Sequence, residues 1–304
     1  MKRILFPLAL LFVLCEANAT SRILKDLPYA ERDSGFLKMD LYLPAEAAAD
    51  RPCIIFVFGG GFLAGDKSKE VNTKFCRELS ERGFVTAAIN YRLGLKGVKG
   101  VGPLNVKPLQ EAIRMAVEDL YDATAFLCKN SKSYGIDSEK IIICGSSAGA
   151  VTVLQADYER SRGTALSARL PENFRYAGVV SLAGAILSFE GKPDYLQRPA
   201  PTCFFHGTDD KVVVYNKMQV FNMGFFGSHA LIKRFEKFGY PYAAYRYRDM
   251  GHEIAELPMQ RNVDDIIAFI RLYALEKRPL RSDFSLKDET LKPYLKLKSH
   301  KDLY

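Results

Sequence analysis

The stretch Gly145-Ser146-Ser147-Ala148-Gly149 is a G-x-S-x-G pattern between an apolar run at 140–144 and a helical stretch at 148–158. A serine hydroxyl is a poor nucleophile until a base takes its proton. A tight strand-to-helix turn lifts the central serine clear of the backbone, and the flanking glycines let strand and helix cross closely. The helix start then aims free N–H groups at the reacting oxygen. Ser147, at the centre of the pattern, is the candidate nucleophile; Ser146 is off-centre. The five residues alone also describe a plain Gly-Ser turn, so the strand before and the helix after carry the argument.

The chain has four histidines. His300 lies in a polar tail, His229 opens a helical stretch, and His206 ends an apolar run. His252 stands in Asp249-Met250-Gly251-His252-Glu253, a loop directly after a strand-like run, and is the candidate base. Loops at the C-terminal edge of parallel strands are where α/β sites form. The acid comes from His206-Gly207-Thr208-Asp209-Asp210, another such loop. Asp210 is the first choice and Asp209 the second, since spacing does not separate them and one fits an Asx turn. The acid holds the imidazole tautomer and stabilises its cation. Phe58-Gly59-Gly60-Gly61-Phe62 follows another apolar run. Its N–H groups suit a tetrahedral oxyanion, with the Ala148 N–H as a further donor. A phosphate cradle would need a Walker lysine or G-x-G-x-x-G, and neither is present. The pattern predicts acyl transfer through Ser147, with no metal or cofactor.

These residues need elements to bring them together. Short apolar runs at 51–58, 84–89, 140–144, 177–182 and 201–205 read as buried strands, and 242–247 as an alternating one. Helical spacing marks 71–82, 109–128, 148–158, 229–238 and 262–274. Strands alternating with helices predict an α/β fold, a mostly parallel sheet covered on both faces. Residues 94–108 hold four glycines and two prolines and read as a flexible loop that suits part of a lid. An insert after Asp210 carries Met218, Phe221, Met223, Phe225 and Phe226. It suits a helix packed on the core, or else the wall of an acyl or aryl pocket.

With GGGF, GSSAG, HGTDD and GH in this order, the chain resembles the α/β-hydrolase esterases. It is most similar to the carboxylesterase and hormone-sensitive-lipase-like groups, including bacterial acyl-polysaccharide esterases. The likeness runs from about Pro52 to Leu275. It implies an eight-stranded, mostly parallel sheet. It also implies Asp210 as the acid and Gly60 and Gly61 as oxyanion donors. One departure stands out: the family commonly places histidine before the glycines, and here Phe58 takes that place. The expected substrate is a carboxylic ester, such as an acetyl or feruloyl ester of a plant glycan. A serine peptidase of prolyl-oligopeptidase type and a non-catalytic binding protein on a hydrolase scaffold are the alternatives.

The 304 residues fit one large domain, with 48% apolar and 26% charged residues. Lys2 and Arg3, the apolar run 4–14 and Ala17-Asn18-Ala19 read as a cleaved secretory signal over residues 1–19. The expected product is secreted or periplasmic. Loss of Lys2, Arg3 and Glu16 takes the formal charge from +8 to +7. The basic residues are scattered, and no nucleic-acid motif or further membrane-length run occurs. The catalytic domain is expected over 20–276, followed by a polar, lysine-rich tail over 277–304. Five cysteines remain after the signal, without CxxC spacing. Cys53, Cys144 and Cys203 read as buried free thiols, while an oxidising compartment would permit one disulfide.

Overall fold

The computed structural model describes residues 21–46, 48–102 and 105–295. The expected signal lies outside the described residues, as do positions 296–304 of the expected tail. The strands are β1 (Arg22–Arg32), β2 (Gly35–Leu43), β3 (Arg51–Val57), β4 (Val85–Ile89), β5 (Ile136–Ser146) and β6 (Gly178–Leu182). Then follow β7 (Ala185–Ser188), β8 (Thr202–Gly207), β9 (Lys217–Val220), β10 (Met223–Gly227), β11 (Tyr242–Tyr247) and β12 (Arg281–Leu286). The helices are α1 (Glu70–Glu81), α2 (Lys107–Lys129), α3 (Ser131–Tyr134), α4 (Ala148–Arg162), α5 (Ser228–Phe238), α6 (Pro258–Arg261) and α7 (Val263–Phe269). α7 runs on as a π-helical stretch, Ile270–Leu275.

Nine strands form one sheet in the order β1-β2-β4-β3-β5-β6-β8-β11-β12. The pairings from β4 to β12 are parallel, and β2 is antiparallel to both β1 and β4. The inner strands are apolar throughout because helices cover both faces: every residue of β4, β6 and β8 is buried. The helices present one apolar stripe each; in α1 it is Phe75, Cys76 and Leu79. α4 is the exception, buried on nearly all sides, as befits the helix that starts at the site.

The sheet thus has nine strands where eight were expected, and the ninth comes from the segment read as a tail. β12 pairs in parallel with β11 over six residues, and Phe284 stacks on Tyr245 at 4.9 Å. An edge strand is held by backbone hydrogen bonds on one side and exposes most side chains, so it needs little apolar sequence. The same reason hid β1, the opposite edge, whereas β2 lies between β1 and β4 and buries only Met39 to Tyr42. The insert after Asp210 is not helical either. It is the β9–β10 hairpin, which joins β7 in a three-stranded antiparallel sheet. Phe226 belongs to the core, whereas Phe221 at the hairpin tip is 93% exposed. Among the described residues all five cysteines are free, and Cys53, Cys76, Cys144 and Cys203 are buried.

Candidate functional site

Four loops leave the C-terminal ends of β3, β5, β8 and β11, and each delivers one predicted group. After β5 the chain reaches Ser147 with φ 52° and ψ −117°, then enters α4. Such a left-handed conformation costs a non-glycine residue about 1–3 kcal/mol. The surroundings impose it. A Cβ on Gly145 would stand 2.2 Å from the Gly149 carbonyl oxygen, and one on Gly149 would stand 2.0 Å from that of Val57. Only glycines allow β3, β5 and the start of α4 to pack this closely.

The Ser147 hydroxyl lies 2.8 Å from Nε2 of His252, and Nδ1 of His252 lies 2.7 Å from Oδ2 of Asp210. The other Asp210 oxygen accepts the backbone N–H groups of Val212 and Val213 at 2.9 and 3.1 Å. All three side chains are buried. Burial alone would raise the Asp210 pKa, but hydrogen bonds from His206 and His252 outweigh it and hold the carboxyl well below the usual range. An ionised Asp210 must receive a proton-bearing Nδ1, which leaves Nε2 of His252 free to accept from serine. The structure also separates the two adjacent aspartates. Asp209 is exposed, and among the described residues its carboxylate accepts only the neighbouring Thr208 hydroxyl, at 3.1 Å.

The glycine loop after β3 faces the same point. Gly60 has φ 136°, and a Cβ there would sit 1.9 Å from the Ala64 carbonyl oxygen. Among the described residues the N–H groups of Gly60, Gly61 and Ala148 donate to no protein acceptor. All three residues line cavities that also expose Ser147. Free donors beside a nucleophile can stabilise an oxyanion.

Two cavities meet at Ser147. One, of about 130 Å³, is apolar, and its walls include Phe62, Val151, Leu187, Met218, Met223 and Phe225. The insert therefore does form a pocket wall, through Met218, Met223 and Phe225 but not through Phe221 or Phe226. Val101, Gly102 and Val106 of the glycine-rich loop close the same cavity. The other cavity, about 450 Å³, is more polar and holds His252, Asp66, Lys69, Asn72, Glu256 and Tyr294.

Comparison with known proteins finds solved structures of similar fold. A family model described as BD-FAE matches residues 39–186. A probable isoprenylcysteine alpha-carbonyl methylesterase of Oryza sativa subsp. japonica is 32% identical over 165 residues, covering 53% of this chain and 35% of the relative. Gut esterase 1 of Caenorhabditis elegans is 30% identical over 104 residues, covering 34% of this chain and 18% of the relative. The chain thus spans about a third of the length of the first curated relatives it matches. Among solved structures, the propionate-bound esterase Est2 of Thermogutta terrifontis superposes with a TM-score of 0.57 at 20% identity, covering 83% of this chain and 93% of that one. Esterase B of Lactobacillus rhamnosis gives 0.60 at 16% identity, covering 84% and 88%.

The chain has the α/β-hydrolase fold.

Within this α/β-hydrolase fold several supporting residues escaped the sequence reading. His206 approaches Asp210 Oδ2 at 3.3 Å and Val213 O at 2.9 Å through Nε2. Since a carbonyl only accepts, Nε2 carries a proton, while Nδ1 shares a hydrogen bond with the Ser228 hydroxyl at 2.7 Å. Ser146, set aside as off-centre, donates to Ala255 O at 2.7 Å and ties the nucleophile turn to the short 3-10 turn His252–Ala255. Phe58 replaces the usual histidine by stacking on Tyr91 at 4.6 Å, while the Tyr91 hydroxyl donates to Phe58 O at 3.0 Å. Buried Lys67, paired with Asp40 at 2.7 Å and Asp26 at 3.0 Å, fastens the glycine loop to the β1–β2 hairpin. The sequence signals for these were Phe58 in the place of the usual histidine and, at His206, a histidine ending a strand one turn before the acid.

Proposed function

We propose that this α/β-hydrolase is an esterase that cleaves carboxylic esters through an acyl-enzyme on Ser147. One observation carries the reading: an unbroken hydroxyl–imidazole–carboxylate relay, at 2.8 and 2.7 Å, opens onto a cavity on either side of Ser147. His252 takes the Ser147 proton as Oγ attacks the ester carbonyl. Ionised Asp210 stabilises the resulting imidazolium, and the N–H groups of Gly60, Gly61 and Ala148 receive the oxyanion. Collapse of the tetrahedral intermediate breaks the bond to the alcohol oxygen, which takes the proton from His252. Water then repeats the sequence, with His252 as base, and releases the acid.

The same proton bookkeeping orients the substrate. The leaving alcohol must reach His252, which lines only the polar cavity. The acyl group then occupies the apolar cavity beside Gly61 and Ala148. Hydrogen-bonding groups at Asp66, Asn72 and Glu256 on the alcohol side suit a hydroxylated leaving group. This supports acetyl or feruloyl esters of glycans as substrates, and the signal-like pattern of residues 1–19 supports an encounter outside the cytoplasm.

Nitrophenyl esters from acetate upward, feruloyl sugars, and labelling by a fluorophosphonate probe test the proposal. Hydrolysis and labelling in the wild type, both abolished by Ser147→Ala, are the expected results. Cleavage of aminoacyl-nitroanilides with no ester turnover would replace the reading by a peptidase. Absence of labelling would remove catalysis by Ser147 altogether.

A further inference from the structure

Glu253, next to His252, is a buried carboxylate with no cation within salt-bridge distance among the described residues. A buried charge needs compensating hydrogen bonds. Glu253 Oε2 accepts the Gly251 N–H at 2.9 Å, on the near side of His252. Its Oε1 accepts two backbone N–H groups from the far end of the chain, those of Tyr294 and Leu295, at 3.0 and 2.9 Å. The chain arrives there by a built path. After β12 the carboxylate of Asp288 caps a turn by accepting the Thr290 N–H at 2.9 Å, and Leu291 N donates to Asp288 O at 3.1 Å. Leu291 packs against the core. The segment therefore reaches the site with its main chain pinned.

Tyr294 nevertheless remains 57% exposed. Its backbone is fixed by a buried charge, yet the side chain lies open on the wall of the cavity that holds Ser147 and His252. Lys69 and Glu256, which pair with each other, line the same cavity. Packing and folding give Tyr294 little to do there, whereas a ring beside the leaving-group exit offers an apolar face flanked by hydrogen-bonding groups.

We infer that the C-terminal segment 288–295, anchored by Glu253, is the wall of the leaving-group subsite, and that Tyr294 selects alcohols with a ring face. Glu253 is a positioning residue and Tyr294 the specificity residue. The inference rests on the esterase reading and adds the element that chooses the alcohol.

The test holds the acyl group constant. Full-length wild type, Tyr294→Ala, Tyr294→Phe and Glu253→Gln are assayed on methyl acetate and on an O-acetylated methyl glycoside. The readout is the ratio of kcat/KM, sugar ester over methyl ester. Tyr294→Ala should lower that ratio about tenfold, the size of one lost ring contact, mainly through KM. Tyr294→Phe, which keeps the ring, should stay within about twofold of wild type by the same reasoning. Glu253→Gln places an amide N–H against a backbone N–H and should lower the ratio in the same direction as Tyr294→Ala. A ratio unchanged in Tyr294→Ala, or equal losses on both esters, overturns the subsite while leaving the esterase reading intact. Equal losses in Tyr294→Phe and Tyr294→Ala overturn the ring contact. A wild type inactive on both esters overturns the esterase reading itself and the subsite with it.

Discussion

Replacing Asp210 by asparagine changes one oxygen to an amide and tests the relay without changing its shape. The asparagine oxygen can still accept the N–H groups of Val212 and Val213, which now bond Oδ1 at 2.9 and 3.1 Å. Its NH₂ then replaces Oδ2, where His252 Nδ1 sits at 2.7 Å and His206 Nε2 at 3.3 Å. A donor facing Nδ1 drives the His252 proton to Nε2, where it blocks proton transfer from Ser147. Two losses follow. The charge pair formed as His252 takes the proton is worth about 4 kcal/mol at ~4 Å and an effective dielectric of about 20. That is a factor of about 10³ in rate. The wrong tautomer adds roughly another factor of ten, for about 10⁴ in kcat. Asp209→Asn, one residue away, changes only an exposed carboxylate and should leave kcat within about twofold. Steady-state hydrolysis of a nitrophenyl ester, with circular dichroism to check folding, measures both. The reasoning is refuted if folded Asp210→Asn keeps more than about 1% of kcat, or if Asp209→Asn falls as far.

Two further outcomes can be checked directly. Val151 is buried and lines the apolar cavity, so Val151→Phe should shorten the acyl groups accepted. At about 0.8 kcal/mol per methylene, four methylenes denied burial cost ~3 kcal/mol, over a hundredfold in kcat/KM for an octanoyl relative to a butanoyl ester. An unchanged chain-length profile would place the acyl group elsewhere. Burial raises the Asp157 pKa from 3.8 to about 7, while its carboxylate accepts the Ala200 N–H at 3.1 Å. The folded value lies above the unfolded one, so between about pH 4 and pH 7 only the native state binds the proton. Stability from this residue therefore falls as pH rises through that window. Asp157→Asn should be more stable than wild type at pH 8, by up to about 4 kcal/mol at ~1.4 kcal/mol per pKa unit, with the gap closing near pH 4. Urea melts at the two pH values would contradict this if the gap were the same in both.

The correspondence between sequence and structure varies with the range of the forces involved. Buried parallel strands announce themselves because both faces must be apolar, and β11 is found at the expected residues, 242–247. The edge strands β1 and β12 carried no such mark, because a neighbouring backbone holds them, and the interior strand β2 is buried only from Met39 to Tyr42. Helix periodicity found α1, α2, α4 and α5 to within a few residues, but it gave no warning that the stretch after Phe269 would become π-helical. The insert after Asp210 had the right composition for a pocket wall, yet its hairpin form depends on pairing with β7, over thirty residues earlier.

By itself the sequence determined the α/β class, the nucleophile turn with Ser147, and His252 and the glycine loop as its partners, since each follows from residue type and spacing within one element and its adjoining loop. Tertiary structure alone decided between Asp209 and Asp210, by burying one beside two histidines and leaving the other in water. It also enlisted His206, stacked Phe58 on Tyr91, and brought residues 294 and 295 to Glu253. Those contacts join chain segments up to 42 residues apart. They depend on which strand ends the sheet sets side by side, and no local preference of the chain encodes that.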